Sequence, residues 1–358
     1  MSRLIKTWFF LMVCGGLLIV QPFPAHSNPL DPYIQAAKKE GSVTLGLTLR
    51  SKIHGKPSGE LYIAAFQKKY PFLKVHFKRI GGPRERERII NEMIAGMFNY
   101  DVATMSETMI PTIVGAKLHR VVEWEKLGIF QFLIHPENYA ISLKTPVYGI
   151  AYNRDLVPDE VAKTFTWETC IDPTWGGKSP VEVRPRHLER FYSDDVWGRE
   201  KTLDYAKRWA ASKPAVESSR STAAAKLTAG VYHFICGMPR HQIKYLQIHG
   251  GAKNIDIVFP EPVLAGTGDL MYLPEKANHP NAAILFLAWS GTQGAQNLLD
   301  SVDFTGHPLV EGNDVTNILK GKKISYPTWE SSARSHEVLA EILQTMGMPV
   351  VQGKKKKK

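Results

Sequence analysis

The stretch from Glu40 to Glu107 constrains the fold of this 358-residue chain more than any other part of the sequence. Three short runs with the composition of β-strands alternate there with two amphipathic segments of helix length. The predicted strands are Val43–Thr48, Lys74–Ile80 and Asp101–Met105, and the predicted helices are Glu60–Tyr70 and Arg84–Met97. Strands separated by helices indicate βαβ units, and therefore an α/β fold with a parallel sheet. Ligands of such sheets bind beyond the carboxyl ends of the strands.

Several segments of the chain resemble one protein family. They are AAKKEG-V, AF-KKYP-LKV, the Gly81-Gly82 turn, the Asp101-Val102 strand, YGIAYN at Tyr148–Asn153, TWE with DPTWGGK at Thr166–Lys178, and the helix His279–Trp289. Similar segments occur in the type II periplasmic solute-binding proteins of ABC importers, in the branch of the ferric-iron, phosphonate and thiamine binders. The resemblance covers Asp31–Pro349 and implies a two-lobed α/β protein, in which each lobe is a mixed sheet flanked by helices and a hinge joins the two.

The resemblance also implies how the chain divides between the lobes. We expect residues 28–141 and 255–305 in lobe 1, and residues 142–254 and 306–350 in lobe 2. In this interpretation Asn254–Pro260 is the strand that returns to lobe 1.

The N-terminus has the pattern of a secretory signal peptide. Arg3 and Lys6 precede the apolar run Thr7–Val20, and Ala25-His26-Ser27 resembles a cleavage site. The apolar run is shorter than the roughly 20 residues that span a bilayer. We therefore predict that residues 1–27 are a cleaved signal peptide and that the mature chain is periplasmic.

The net charge does not indicate a nucleic-acid-binding protein. The formal charge of +11 includes two charges from the signal peptide and five from Lys354–Lys358, which leaves +4 for the rest. A terminal lysine run cannot bury apolar surface, so residues 351–358 are predicted to be a disordered tail. No basic helix with interleaved aromatic residues indicates nucleic-acid binding.

Two cysteines remain after cleavage, Cys170 and Cys236. An oxidising compartment favours a disulfide between them. Both lie in apolar surroundings, however, and two buried thiols fit the sequence equally well.

Motifs of enzymes are absent from the sequence. It contains no G-x-S-x-G, H-E-x-x-H, Walker A or C-x-x-C motif. We therefore expect a binding protein without catalytic residues or a cofactor.

The candidate ligand-binding residues lie on loops that the fold would bring to one cleft. From lobe 1 these are His54, Gly81, Gly82, Ser106 and Glu107, where Ser106 also caps a predicted helix Thr108–Ala116. From the other lobe they are Tyr148, Arg184, Arg186, His187, Ser219, Arg220, Ser221 and Thr222. Guanidinium forks and hydroxyl groups suit carboxylate and phosphate oxygens. The alternative is that these arginines pair with Glu182, Glu189 and Glu217, and the charged run Arg84–Arg88 is interpreted as a solvated helical turn.

Ferric binders of the resembling family hold iron with a histidine, a carboxylate and two adjacent tyrosines. His54 and Glu107 match the first two positions, but Gly237–His241 contains no tyrosine. The sequence therefore favours capture of a small anionic solute, such as an organic carboxylate, phosphonate or phosphate ester, by a monomer that delivers it to an inner-membrane ABC permease. The alternatives are a ferric-iron or iron-chelate binder that uses Glu107 and His54, and a periplasmic sensor-input protein.

Overall fold

A computed structural model describes residues 28–50, 52–53, 55–175, 178–266, 268–328, 330 and 334–350. The predicted signal peptide, the lysine tail and His54 lie outside the described residues. Within those ranges no helix combines the length and the apolar character that a bilayer span requires.

Helices and strands alternate along the chain. The helices are α1 (Asp31–Glu40), α2 (Gly59–Lys69), α3 (Pro83–Ile94), α4 (Ile110–Gly115), α5 (Asp159–Ala162), α6 (Arg186–Phe191), α7 (Gly198–Ala211), α8 (Arg220–Thr228), α9 (Arg240–Ile248), α10 (Pro280–Ser290), α11 (Gln293–Asp303), α12 (Asp314–Ile318) and α13 (Ser335–Thr345). The strands are β1 (Ser42–Leu47), β2 (Lys52–Ile53), β3 (Lys56–Pro57), β4 (Lys74–Arg79), β5 (Val102–Met105), β6 (Ile141–Ser142), β7 (Val147–Asn153), β8 (Val181–Glu182), β9 (Val216–Glu217), β10 (Phe234–Pro239), β11 (Ile255–Val258), β12 (Val263–Ala265), β13 (Leu270–Tyr272) and β14 (Ile324–Ser325).

The first lobe is built on a mixed five-stranded sheet in the order β4-β1-β5-β13-β6. Strand β1 pairs in parallel with β4 and with β5, which confirms the βαβ units predicted from the sequence. Strand β13 runs antiparallel to β5 and to β6. The apolar faces of α2 and α10 cover one side of the sheet, where Phe66 packs against Phe286 and Trp289. This core fixes the carboxyl ends of β1, β4 and β5 at one edge.

The second lobe is built around β7, which is buried along its whole length. Strands β10, β11 and β12 all pair with β7 in antiparallel register, and β14 pairs in parallel with β12. A large aromatic core of Trp167, Phe191, Tyr205 and Trp209 packs against the sheet. This sheet is therefore also mixed, as expected for each lobe.

The return of the chain to the first lobe lies further along the sequence than the prediction placed it. Strand β11 pairs with β7 instead of joining the first sheet, and β12 also pairs with β7. The chain rejoins the first sheet only at β13. A short apolar run predicts a strand, but its periodicity does not reveal which sheet the strand joins.

Three segments cross between the lobes and are hydrogen-bonded to one another. We call residues 143–146, 266, 268–269 and 304–305 the hinge. The Leu143 N–H donates to Asp269 O at 2.8 Å, the Gly266 N–H to Pro146 O at 2.7 Å, and the Thr145 N–H to Thr305 O at 2.9 Å. Gly268 permits this approach, because a Cβ atom there would lie 2.0 Å from the carbonyl oxygen of Lys144.

The two cysteines that the sequence left unassigned form a disulfide. Cys170 and Cys236 are bonded, and their Cα atoms lie 6.1 Å apart. The bond joins the 3-10 helix Trp167–Ile171 to β10 and lies within the second lobe.

Candidate functional site

A cavity of about 740 Å³ lies between the two lobes. The first lobe lines it with the start of α3, which follows β4, and with the segment after β5. The second lobe lines it with the start of β7 and with residues from α6, α8 and α9. Because β4 and β5 end at the same edge of the first sheet, the loops that follow them meet at this cavity.

Six of the predicted ligand-binding residues line the cavity. They are Ser106, Glu107, Tyr148, Arg184, Arg186 and Arg220. The first two come from the loop after β5, and the other four come from the second lobe. The fold therefore brings these side chains together from segments far apart in sequence, and their contact with a ligand stays a prediction.

Arg184 and Arg186 are the most available cations of the cavity. Both side chains are exposed, and within the described ranges neither guanidinium group makes a hydrogen bond or an ion pair. Neither therefore forms the ion pair with a neighbouring glutamate that the alternative predicted, although both act to lower the pKa of Glu182, which burial raises, and Arg186 acts in the same way on Glu189.

Arg220 begins α8 and is half-buried. Its Nε donates to Glu182 Oε2 at 2.8 Å, so the pairing alternative does hold here. Burial by itself would lower the pKa of Arg220, but Tyr148 and Glu182 outweigh it and raise the pKa. Arg220 is therefore a fixed cation, and Nε is the part of its guanidinium group that Glu182 occupies.

Tyr148 lies at the start of β7 with its ring buried and its edge at the cavity. Burial raises the pKa of its hydroxyl, and Arg220 and Arg186 oppose that shift. The hydroxyl therefore stays protonated near neutral pH and can donate a hydrogen bond to an anion.

Three predicted hydroxyl residues, Ser219, Ser221 and Thr222, lie at the start of α8 and are not among the residues that line the cavity. Ser219 caps the helix, since its Oγ accepts from the Thr222 N–H at 3.1 Å and lies 2.9 Å from Thr222 Oγ1. Ser221 Oγ accepts from Gln242 Nε2 at 3.5 Å. The sequence interpretation placed a loop here, whereas the segment is the start of a helix.

His187 does not line the cavity, because its side chain lies in the core of the second lobe. Its ring stacks on Trp167 with centroids 5.8 Å apart and lies 5.5 Å from the ring of Trp209. Burial lowers its pKa to about 3, with a smaller contribution from Arg220. Gly237, at a φ of 73°, makes room for it, because a Cβ atom there would lie 1.9 Å from His187 Nδ1.

The two predicted glycines, Gly81 and Gly82, lie directly before helix α3. The Gly81 N–H donates to the carboxylate of Glu85, so this amide already has an acceptor. Gly82 is the residue before the first turn of α3. Neither glycine is among the residues that line the cavity.

Ser106 does not cap a helix as predicted. Glu107–Met109 form a 3-10 turn, and α4 begins only at Ile110. The Ser106 Oγ lies 3.0 Å from Thr108 Oγ1 and makes no capping hydrogen bond. The 3-10 turn leaves Ser106 and Glu107 at the cavity wall.

Glu189 is a half-buried carboxylate on α6 that lines the cavity. Burial raises its pKa to about 7, although Arg186 and Arg220 pull it down. The protonation state of this carboxyl therefore changes as the pH passes through the neutral range.

We expect Glu189→Gln to stabilise the protein more at pH 8 than at pH 5. The folded-state pKa of about 7 exceeds the ordinary value of 4.5. The protonated form therefore contributes stability that is fully present below 4.5 and lost as the pH rises through 7. The substitution should add about 2–3 kcal/mol more at pH 8 than at pH 5. Urea unfolding at the two pH values measures this, and an equal effect at both would contradict the assignment.

Known proteins match this chain through structure and not through sequence. No protein-family model and no curated protein matches it. The apo ferric ion-binding protein A of Pasteurella haemolytica superposes with a TM-score of 0.68 at 15% identity, over 88% of this chain and 100% of that one. The FutA protein of Trichodesmium, solved with iron and citrate ligands, gives 0.68 at 18% identity over 86% and 100%. An ABC transporter substrate-binding protein of Agrobacterium tumefaciens gives 0.65 at 15% identity over 87% and 96%.

The chain has the two-lobed type II periplasmic-binding-protein fold. The superpositions span nearly the whole length of each of these solved structures. They confirm the fold class that the sequence resemblance implied. In this fold the cavity between the lobes is the candidate ligand site.

The tyrosine pair expected of a ferric site is absent from the segment where the sequence resemblance places it. Strand β10 ends at Pro239, and α9 begins with the buried Arg240. Tyr232 donates to Glu217 and Tyr245 donates to Asp303, and neither lines the cavity. The described part of the chain also contains no group of three His, Cys, Asp or Glu residues that could hold a metal ion.

The cavity residues that the sequence interpretation missed include Arg86, Lys144, Arg190 and His241. Arg86 was assigned to a solvated turn, yet its Nη2 donates to Asp269 at 2.6 Å inside the cavity wall. Its spacing of three and four from Ile89 and Ile90, which are both buried, places it on the inner face of α3. This spacing is visible in the sequence and could have predicted that Arg86 faces the interior.

The other missed residues depend on tertiary contacts. Lys144 Nζ lies 2.9 Å from Asp303 Oδ2, and Lys144 lowers the pKa of Asp303 against the effect of burial. Burial lowers the pKa of His241 to about 3, and its Nδ1 is buried with no hydrogen-bond partner in the described structure. His241 therefore offers the cavity a neutral hydrogen-bonding group.

Proposed function

We propose that this chain is the periplasmic substrate-binding component of an ABC importer and captures a small organic anion between its lobes. The bound anion would be delivered to an inner-membrane permease. The observation that carries the proposal is that Arg184 and Arg186 line the cavity, are exposed, and make no hydrogen bond or ion pair with a described residue.

Closure of the lobes would favour binding of an anion by these arginines. In the structure both side chains are solvated, so their charge costs little. When the lobes close, water leaves the cavity and an unpaired guanidinium group becomes expensive. A carboxylate or phosphate group removes that cost, and an arginine can hold it through two parallel hydrogen bonds.

Arg220 and Tyr148 extend the same binding surface at the base of the cavity. Glu182 holds Arg220 through Nε, which fixes the orientation of the guanidinium plane. The Tyr148 hydroxyl stays protonated beside it. Together they offer an anion one charged and one neutral donor in a fixed arrangement.

Arg220→Gln is expected to weaken binding of the best anion by about 10- to 100-fold. A hydrogen bond to a charged group contributes about 1.5–3 kcal/mol, and 1.4 kcal/mol corresponds to a factor of ten. A thermal-shift screen of carboxylates, phosphonates and phosphate esters would find that anion. Isothermal titration calorimetry then measures the affinity of each variant.

Two controls separate binding from folding. Arg208→Gln changes an exposed arginine outside the cavity and should leave the affinity unchanged. Arg220→Gln combined with Glu182→Gln removes the carboxylate that the single change leaves unpaired, and it should bind as weakly as Arg220→Gln. The proposed function fails if no anion binds, or if only neutral and cationic solutes stabilise the protein.

A ferric chelate is the second candidate cargo. The similar Pasteurella haemolytica structure is that of a ferric ion-binding protein, and the Trichodesmium structure contains iron and citrate. An anionic ferric chelate would present its own carboxylates to the arginines and would not require a tyrosine pair.

Calorimetry with ferric citrate and with citrate alone distinguishes the two cargoes. If ferric citrate binds and changes the visible absorption of the iron, whereas citrate without iron does not bind, the chelate is favoured. Equal affinity for both would show that the anion is recognised and the iron is not.

A further inference from the structure

We propose that Arg86 is a ligand contact of the first lobe, and that the cargo therefore carries two anionic groups, one for each lobe. This inference rests on the proposed function, because it specifies the anion that the cavity captures.

Arg86 is placed to bind a ligand. Its side chain is 14% exposed and lines the cavity from the first turns of α3. The guanidinium Nη2 donates to Asp269 Oδ1 at 2.6 Å. The Nε is buried and has no hydrogen-bond partner in the described parts of the chain. Asp269 thus holds the guanidinium group of Arg86 in place through Nη2, and other N–H groups of Arg86 remain without an acceptor there.

Asp269 links Arg86 to the hinge. Asp269 precedes β13, and its backbone oxygen accepts the Leu143 N–H at 2.8 Å. The ion pair therefore fixes Arg86 relative to the segments that bend when the lobes close. A guanidinium group held at this point keeps its position on the cavity wall, which is what a binding residue requires.

The other arginines face Arg86 from the opposite lobe. Arg184, Arg186 and Arg220 belong to the second lobe, and Arg86 belongs to the first. When the cavity closes, arginines on both walls lose water. Arg86 is already paired with Asp269, but its Nε has no acceptor among the described residues. A single anionic group held by the second lobe would leave the remaining N–H donors of Arg86 without an acceptor in the closed cavity, whereas a second anionic group could accept from them.

The size of the cavity fits a ligand with two such groups. A volume of about 740 Å³ lies within the range of roughly 300–1,000 Å³ that holds organic ligands. It far exceeds the volume of one carboxylate or one phosphate group. A small organic dianion, with a carboxylate at one end and a second carboxylate or a phosphonate at the other, would contact both walls at once.

Isothermal titration calorimetry with paired ligands tests the proposal. Each pair differs only by the replacement of one carboxylate by an amide: succinate with succinamate, and phosphonoacetate with phosphonoacetamide. We expect at least one dianion to bind 30-fold or more tightly than its amide. Arg86→Gln should weaken that dianion 10- to 100-fold and change the affinity of the amide by less than threefold. Arg220→Gln should weaken both.

The matched control is Arg88→Gln on the same helix. Arg88 is exposed and pairs with Glu92, so both affinities should stay as in the unmodified protein. Arg86→Lys, which keeps the charge, should restore part of the preference for the dianion.

A double variant separates a contact from a structural role. If Arg86 acted only by neutralising Asp269, then Arg86→Gln combined with Asp269→Asn would restore the dianion affinity. A ligand contact predicts that the double variant stays weak.

The proposal is overturned by that restoration, by equal affinity for a dianion and its amide, or by the absence of binding of both dianions while another anion binds. In those cases the proposed function stands. If no anion binds at all, the proposed function fails first.

Discussion

Arg240→Ala is expected to lower the free energy of unfolding by about 3–5 kcal/mol. Arg240 is 1% exposed and begins α9 in the second lobe. Its Nη1 donates to Asp300 Oδ1 at 2.8 Å and to Phe304 O at 3.0 Å, and its Nη2 donates to Asp314 Oδ2 at 2.5 Å. Asp300 lies on α11, which packs in the core of the first lobe, so the arginine joins the two lobes behind the cavity.

The cost arises from the carboxylate that the substitution leaves behind. Asp300 is 2% exposed, and without Arg240 its charge would be buried with no cation beside it. A buried ion pair adds little stability compared with an apolar pair, but removing one partner is expensive. Urea unfolding followed by circular dichroism measures the loss.

Arg208→Ala is the matched control for this experiment. Arg208 also contacts two carboxylates, Glu168 and Asp204, but it is 47% exposed. Solvent screens such pairs, so we expect a loss below about 1 kcal/mol. Equal effects of the two substitutions would show that the contacts of Arg240 do not have the energetic role assigned to them.

Reduction of the Cys170–Cys236 disulfide is expected to lower the free energy of unfolding by about 4 kcal/mol. The two cysteines are 66 residues apart in sequence, so the bond closes a long loop in the unfolded chain. Closing that loop restricts the unfolded state, and opening it makes unfolding more favourable. Urea unfolding with and without dithiothreitol measures the difference.

Two observations would decide whether the disulfide has this role. The double variant Cys170→Ser and Cys236→Ser should unfold at the same urea concentration with and without dithiothreitol. Peptide mapping of the purified, non-reduced protein should find the two cysteines in one linked peptide pair. Free thiols at both positions, or no effect of reduction on the native protein, would contradict the prediction.

Much of the first lobe could be predicted from the sequence because its signals are local. Strands β1, β4 and β5 and helices α2 and α3 follow the apolar pattern within about three residues at each end. Pairing between distant strands has no such local signal. For that reason β11 was predicted to be a strand but assigned to the wrong sheet.

The residues of the candidate site also differ in whether a local sequence pattern could predict their position. The sequence identified Arg184, Arg186 and Arg220 because arginines that follow predicted strands fit a cleft of this fold. It also selected His187, whose neighbours in the sequence do not reveal that Trp167 and Trp209 surround it. The helical spacing of Arg86 from Ile89 and Ile90 could have predicted its position on the inner face of α3. The contact between Lys144 and Asp303 depends instead on how two distant segments meet.

The hydrogen bonds of the hinge determine how the lobes can move. Three backbone segments lie edge to edge there, joined through Leu143, Thr145 and Gly266. Bending such a ribbon out of its plane spreads small torsional changes over several residues, whereas sliding one segment along another breaks the bonds between them. We therefore expect the lobes to rotate about these segments and not to slide past one another. A closure about this hinge would bring the two walls of the cavity together in one relative orientation.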